Sequence, residues 1–80
     1  MPEIIVKVHD AWIKKPLYGV SVSIDGKTTS TDPRGVARLI VPPGKYILKI
    51  RSPDYEPITM IIQVGEKDIE IPVHLRKVHL

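Results

Sequence analysis

The sequence has no cysteine, no phenylalanine, no asparagine and only two alanines among its 80 residues. Without cysteine, a disulfide framework, a thiolate zinc site and a thiol nucleophile are excluded. The scarcity of alanine, the best helix former, argues against a helical bundle. The absence of asparagine, together with eight prolines, is typical of proteins from hot environments, in which labile amides are rare and loops are stiff.

Long apolar runs are also missing. No segment reaches the roughly 18 to 20 apolar residues that a membrane-spanning helix needs, and residues 1–3 lead into strand-like sequence without the features of a signal peptide. We therefore expect a cytoplasmic protein without a membrane span. A domain processed or excised from a longer chain would look the same, and an extracellular or cell-surface location is then the alternative.

The residues that are abundant favour strands. Isoleucine (12), valine (9) and threonine (4) dominate the composition, and seven short segments, several of them alternating apolar and polar residues, are separated by glycine and proline turns. We place these segments at residues 4–9, 19–24, 27–31, 36–41, 45–51, 58–64 and 69–76. This spacing predicts one all-β domain over residues 1–80, a seven-stranded antiparallel Greek-key β-sandwich.

Three motifs in the turns carry a family resemblance. They are Pro16-Leu17-Tyr18-Gly19-Val20-Ser21-Val22, Thr29-Ser30-Thr31-Asp32-Pro33-Arg34-Gly35 and Val41-Pro42-Pro43-Gly44-Lys45-Tyr46. In order and spacing they resemble the carboxypeptidase regulatory-like domains, whose fold is a transthyretin-like, immunoglobulin-like sandwich. The resemblance implies a non-catalytic accessory or adhesion-like module and supplies no catalytic residues.

Residues able to support catalysis or hold a cofactor are few. The histidines, at positions 9, 74 and 79, do not have the spacing of a zinc motif, and the serines lie without a neighbouring base. The aspartates at positions 10, 25, 32 and 54 fall at strand ends, where a carboxylate commonly accepts backbone N–H bonds of a turn. We therefore expect no enzyme, no metal, no cofactor and no small-molecule substrate.

The net charge is +3, and several cations fall on the segments 36–41 and 45–51, which we expect to form a hairpin. If that hairpin forms, one outer sheet face carries a positive stripe, which either contacts phosphates, for example of nucleic acid, or is a solvated face that prevents aggregation. The residues of this stripe are Arg38, Lys45, Lys49 and Arg51 on the two strands and Arg34 at an adjoining turn.

Apolar residues on nominally outer positions suggest self-association, through an unpaired edge strand or a donated C-terminal tail. A tail that folds over its own edge, or a disordered end, is the alternative. The residues concerned are Ile5, Ile61, Val78 and Leu80.

Aromatic residues in the loops form a third candidate group. They either bind a sugar, a peptide or a partner protein, or close the open end of the sandwich. They are Trp12, Tyr18 and Tyr55.

The function that the sequence favours is a non-catalytic module for protein–protein interaction or self-assembly, with another protein or a second copy as partner. A basic nucleic-acid-associated protein is the first alternative, and a surface or extracellular structural subunit is the second.

Overall fold

The computed structural model describes residues 1–78 as seven strands in two sheets. The strands are β1 (Glu3–Asp10), β2 (Ser21–Ile24), β3 (Lys27–Ser30), β4 (Val36–Ile40), β5 (Gly44–Arg51), β6 (Ile58–Val64) and β7 (Ile69–Leu75). The small sheet has the order β4-β1-β7, and the large sheet has the order β3-β2-β5-β6. The predicted all-β sandwich of seven strands in two sheets is confirmed. Residues 1–78 contain no helix with the length and apolar character that spanning a membrane would require.

Branched aliphatic side chains fill the space between the sheets. Because successive residues of a strand point to opposite faces, every second residue is inward, and Ile4, Val6 and Val8 of β1 are completely buried. Tyr46 packs against this core and donates its hydroxyl hydrogen to the carbonyl oxygen of Pro42 at 2.6 Å. The buried apolar residues are Ile4, Val6, Val8, Val20, Val22, Ile24, Ala37, Leu39, Val41, Leu48, Ile50, Ile62, Val64, Val73 and Leu75.

The sandwich is not antiparallel throughout. β1 pairs parallel with β7, in a register that places Ile4 opposite Ile69 and Asp10 opposite Leu75. Alternation along a strand determines which side chains are inward, but it does not determine the direction of the neighbouring strand. The prediction of a purely antiparallel sandwich was therefore wrong at this one pair.

The predicted hairpin between residues 36–41 and 45–51 is also wrong. β4 pairs with β1 in the small sheet, whereas β5 pairs with β2 and β6 in the large sheet. The chain passes from one sheet to the other at residues 41–43. Pro42 and Pro43 have no N–H to donate to a ladder, so this link separates the two strands instead of joining them in one sheet.

A type I′ turn joins β2 to β3, as the Asp25-Gly26 dipeptide predicts. Both residues have positive φ, 47° at Asp25 and 82° at Gly26. This geometry matches the twist of a two-residue hairpin and requires residues that tolerate the left-handed region.

The turn before β4 requires glycine for two reasons. The Asp32 carboxylate accepts the N–H groups of Arg34 (2.8 Å) and Val36 (3.0 Å), and Gly35 then adopts a φ of +79°. A Cβ at Gly35 would lie only 2.5 Å from the carbonyl oxygen of Val8. That oxygen accepts the N–H of Leu17 at 3.0 Å, so moving it away from the Cβ would also break this hydrogen bond.

Replacing Gly35 should therefore destabilise the fold more than replacing a glycine of similar φ in open space. We expect Gly35→Ala to lower the free energy of unfolding by about 3 kcal/mol, from backbone strain and the clash together. Gly26→Ala is the matched control, because its φ is +82° and nothing lies within 4 Å, and it should cost about 1 kcal/mol. Urea unfolding measures both variants, and equal losses would contradict the proposed close approach to Val8.

Candidate protein-binding site

β6 is an edge strand of the large sheet and lacks the features that usually protect an edge. It pairs with β5 on one side and is the last strand in the sheet order. Among the described residues, none of the backbone hydrogen bonds formed outside the ladders involves Ile58–Val64. The strand is seven residues long and reads Ile-Thr-Met-Ile-Ile-Gln-Val, without a charge, a proline or a glycine. Such an edge offers free backbone groups to another strand.

The other three edge strands are protected. β7 carries Pro72 at its centre, with Glu70 and His74 on either side, and proline removes a backbone donor. β4 has five residues and carries Arg38. β3 has four residues, and its Lys27 Nζ donates to the carbonyl oxygen of Ile40 at 3.2 Å. Short strands, charges and proline are the common means of preventing edge-to-edge pairing, so β6 stands out among the four.

The outer face of the large sheet, which we call the cationic face, has charges of one sign only. β5 presents Lys45, Lys49 and Arg51 on it, and the four strands of this sheet contain no acidic residue. Its other outward side chains are the hydroxyl residues of β2 and β3 and the β6 residues Thr59, Ile61 and Gln63.

An exposed isoleucine pair lies in the middle of the cationic face. Ile47 of β5 is opposite Ile61 of β6, and the two side chains are 53% and 71% exposed. Lys49 is opposite Thr59, and Lys45 is opposite Gln63. The apolar pair is therefore flanked along β5 by a lysine on each side, directly beside the unprotected edge.

The outer face of the small sheet has charges that are paired. Arg38 Nη1 lies 3.1 Å from Glu3 Oε1, and Lys7 Nζ lies 2.5 Å from Glu70 Oε1. The Lys7 ammonium lowers the pKa of Glu70, because it donates a hydrogen bond to that carboxylate and attracts its charge. This face has less unbalanced charge to offer a partner than the cationic face.

The predicted stripe of five basic residues is divided between the two sheets. Lys45, Lys49 and Arg51 share the cationic face, but Arg38 lies on the outer face of the small sheet. Arg34 is in the turn before β4, beside Asp32. The pKa of Asp32 is lowered mainly by the N–H of Val36, with smaller contributions that include both arginines. The prediction that placed Arg38 on one face with Lys45, Lys49 and Arg51 was wrong, because it assumed the hairpin that does not form.

The four residues predicted for self-association lie in different environments. Ile61 is on the β6 edge. Ile5 is half-buried on the central strand β1, opposite Arg38 and Glu70, and so is not at an edge. Val78 donates its N–H to the carbonyl oxygen of Asp54 at 2.9 Å, so the tail lies against its own chain at this point. Leu80 is outside the described residues.

One end of the sandwich, which we call the loop end, is formed by residues 11–20, 52–57 and 76–78. Asp10 connects the loops of this end through hydrogen bonds and is only 4% exposed. Its Oδ1 accepts the N–H groups of Trp12 (2.7 Å) and Ile13 (3.0 Å), and its Oδ2 accepts the hydroxyl hydrogen of Tyr55 at 2.7 Å. One buried carboxylate therefore connects two loops.

The three loop aromatics have different roles at this end. Tyr55 packs against the core and donates a hydrogen bond to Asp10. Of the two predicted roles, Tyr55 therefore has the second, which is to close the open end of the sandwich. Trp12 and Tyr18 are 90% and 73% exposed and close nothing. An open groove of about 680 Å³ lies beside Trp12, between residues 10–13 and residues 76–77.

The histidines of β1 and β7 lie on the small sheet, and the serines of β2 lie on the large sheet. His9 and His74 lie side by side on the small sheet, with ring centroids 5.9 Å apart. Within residues 1–78, no group of three histidines, cysteines or carboxylates could hold a metal ion. Ser21 and Ser23 are on the cationic face, and the strands of that sheet contain no histidine or carboxylate that could activate them.

Sequence reasoning assigned no role to Ile47 or Ile13, which are both exposed. Ile47 belongs to the cationic face, and its importance appears only once the register between β5 and β6 is known. Ile13 is 62% exposed beside Trp12, in a segment whose lack of periodicity gave no indication of burial or exposure. The contribution of Asp10 was visible only as a general preference for aspartate at the end of a strand.

A family model for the PEGA domain matches residues 15–79. The chain belongs to the PEGA domain family. The resemblance to carboxypeptidase regulatory-like domains was wrong. The motifs that carried that resemblance all lie within the matched residues, and they consist of turn glycines and prolines that many sandwiches need for the same backbone reasons.

Two solved structures share the fold of this PEGA domain. One is a chain of a type II cohesin–X-dockerin complex from Acetivibrio cellulolyticus, a C-terminal interface mutant, with a TM-score of 0.71, 21% identity and coverage of 91% of this chain and 53% of that chain. The other is the Bacillus anthracis TIE protein, with a TM-score of 0.74, 16% identity and coverage of 96% of this chain and 16% of that chain. The PEGA domain spans about half and about a sixth of these chains. A comparison with the curated proteins found no match.

The hydrogen bonds of Asp10 predict that acid destabilises the fold at the loop end. The Tyr55 hydroxyl, followed by the N–H of Ile13, holds the pKa of Asp10 below its ordinary value of 3.8. A carboxyl group whose pKa is lower in the folded state stabilises the fold above its unfolded pKa, and this contribution is lost as the pH falls through the folded pKa. An NMR titration should therefore give a pKa below 3.8 for Asp10, and Tyr55→Phe should raise it.

Tyr18→Phe is the control for this titration, because Tyr18 is exposed and should leave the pKa of Asp10 unchanged. In unfolding measurements between about pH 2 and pH 5, Asp10→Asn should reduce the loss of stability on acidification. A pKa of 3.8 or higher for Asp10 in the unmodified protein would show that these hydrogen bonds do not form in solution.

Proposed function

We propose that this PEGA domain is a non-catalytic protein-binding module that accepts an extended segment of another protein as an additional strand beside β6. The observation that carries the proposal is the uncharged, seven-residue edge, in a fold whose three other edges are protected. Main-chain hydrogen bonds to a free edge provide affinity, and side-chain contacts on the two faces provide selectivity.

The outward side chains of an added strand would meet the cationic face. Neighbouring strands lie about 4.8 Å apart, so the added strand would run roughly 10 Å from β5. A glutamate opposite Thr59 or Gln63 and a lysine at position 49 or 45 can span that distance. With one glutamate opposite Thr59 and another opposite Gln63, the outward residue between them would lie beside Ile61. The chemistry of this face therefore favours a partner whose outward positions read acidic, apolar, acidic.

The inward side chains of an added strand would meet the rim of the core. Ile58 and Met60 face inward on β6 but remain half-buried, because no strand covers them on the outer side. An apolar residue of the partner at these positions would remove more of their surface from water. The preferred segment is thus alternating, with apolar residues inward.

The comparisons agree with a binding role without indicating the residues. Family membership and fold suggest a non-catalytic module. One structurally similar chain is part of a cohesin–X-dockerin complex, which is an assembly of proteins. At 21% identity, that likeness supports the fold and not a shared partner.

The alternatives have less support from the contacts. A nucleic-acid role loses Arg34 and Arg38 from the basic stripe, and Arg38 is already paired with Glu3. Self-pairing through β6 would place two faces of like charge side by side in one continuous sheet. An acidic segment at the same edge would instead meet complementary charge. Donation of the C-terminal tail has no support at Val78, whose N–H is bonded within its own chain.

The proposal can be tested with two synthetic peptides of equal length. Each has valine at the inward positions, and its outward positions read glutamate, valine, glutamate in one peptide and lysine, valine, lysine in the other. We expect the valine–glutamate peptide to perturb the NMR signals of β5 and β6 and to bind at least about tenfold more tightly than the valine–lysine peptide at low salt.

Ile61→Glu should weaken binding of the valine–glutamate peptide about tenfold or more, because it removes the apolar contact and places a like charge against the partner. Ile40→Glu is the matched control, since Ile40 is 54% exposed on β4 of the other sheet, and it should bind as the unmodified protein does. If neither peptide binds and the protein forms a dimer that Ile61→Glu disrupts, the occupant of the edge is a second copy and the proposed acidic partner is wrong.

A further inference from the structure

The loop end carries an apolar apex that the β6 edge does not involve. Trp12 and Ile13 are consecutive residues, and their side chains are 90% and 62% exposed. Single exposed apolar residues are ordinary on a protein surface, but adjacent large ones on a projecting loop are candidates for contact with another apolar phase.

The backbone of this apex is firmly held. The buried carboxylate of Asp10 accepts the N–H groups of both Trp12 and Ile13, and the carbonyl oxygen of Asp10 accepts the N–H of Lys14 at 2.9 Å. The N–H of Ala11 donates to the carbonyl oxygen of Leu75 at 2.8 Å. The chain therefore presents the two apolar side chains to solvent in an ordered loop, so little conformational entropy is lost when they bind.

Cations surround the apex. Lys14 and Lys15 follow it in the chain, and Arg76 and Lys77 line the groove beside Trp12. None of the four lies within 4 Å of a carboxylate oxygen of the described residues. The exposed carboxylates of the loop end are Asp54 and Glu56. With the buried carboxylate of Asp10 they make three carboxylates against four cations, so this end has a small net positive charge.

We propose that the loop end docks on an anionic lipid bilayer, with Trp12 and Ile13 inserted at the interface and the four cations facing headgroup phosphates. Tryptophan favours the membrane–water interface, where its ring is apolar and its N–H stays hydrated. Lysine and arginine near an anionic surface add an electrostatic attraction, which decays over about one Debye length from that surface.

A bilayer suits this apex better than a folded protein does. Almost the whole surface of the Trp12 side chain faces outward, so a folded partner would need a preformed pocket to receive it. A fluid interface adapts to a projecting side chain without one. The apex and the β6 edge are separate surfaces, so this inference stands independently of the proposed strand addition.

Trp12 is the only tryptophan of the chain, so its fluorescence reports on the apex alone. We expect its emission to shift to shorter wavelength, and its quenching by aqueous acrylamide to fall, on addition of phosphatidylcholine vesicles containing about one third phosphatidylglycerol. Vesicles of pure phosphatidylcholine should give a much smaller effect. Raising the salt from 0.05 to about 0.5 M should reverse most of the change, because it screens the attraction.

Ile13→Ser keeps the reporter and should weaken partitioning to the anionic vesicles about tenfold or more, because an apolar side chain no longer enters the interface. Ile40→Ser, which removes a comparably exposed isoleucine from the outer face of the small sheet, should partition as the unmodified protein does. The double variant Lys14→Glu, Lys15→Glu should also lose partitioning.

The inference is overturned if anionic vesicles leave the emission unchanged, or if Ile13→Ser and Ile40→Ser partition equally. It is also overturned if poly-glutamate or inorganic phosphate shifts the emission as strongly as the vesicles do. The first of these two responses would identify a site for an acidic protein and the second a phosphate site, and neither requires a bilayer. Equal melting temperatures of the variants check that all of them are folded.

Discussion

An open β-sheet leaves the outer backbone groups of its two edge strands without partners, and a sandwich of two open sheets has four such strands. In this PEGA domain the edges are β3, β4, β6 and β7. Three of them are short or carry charge or proline, and β6 alone presents seven uncharged residues. The proposed addition of a strand beside β6 depends on this contrast.

The contrast matters more because the domain is small. A chain of 80 residues buries only about 60 to 65% of the surface that its unfolded form exposes, and its core is made of aliphatic side chains without phenylalanine. The central strand β1 is covered on both sides by β4 and β7, and its inward residues are fully buried. The inward residues Ile58 and Met60 of the edge strand are only half-buried. Ile69 and Ile71 of the edge strand β7 are half-buried as well, so the core is less complete at both of these edges than at β1.

The outer faces of the two sheets differ in whether their charged side chains form ion pairs. On the small sheet, Arg38 is paired with Glu3 and Lys7 with Glu70, so most of the charge is satisfied within the chain. On the large sheet, lysines and an arginine stand beside hydroxyl groups with no carboxylate in any of the four strands. An acidic partner gains complementary charge on this face alone.

Local rules predicted the features that depend on neighbouring residues. Alternation identified the inward positions of β1, and the Asp25-Gly26 dipeptide is typical of the type I′ turn found there. Features that depend on which distant strands meet could not be predicted. The parallel pairing of β1 with β7 and the separation of β4 from β5 are set by packing of the whole chain, and neither leaves a local signal.

The same limit explains the errors at the candidate sites. Arg38 alternates correctly with its neighbours, so its outward orientation was predictable, but the sheet to which it belongs was not. Ile61 was recognised as an outer aliphatic, whereas its partner Ile47 required the register. The family was misassigned because glycine and proline in turns report backbone geometry, which unrelated sandwiches share.

Hydrogen exchange at the amides of residues 58–64, followed by NMR with and without the valine–glutamate peptide, tests the central claim most directly. If β6 is the open edge that accepts a strand, alternate amides of these residues exchange fast in the free protein at every concentration and become protected when the peptide is added. If those amides are already protected in the free protein, or if the peptide protects amides of β3, β4 or β7 instead, β6 is not the binding edge.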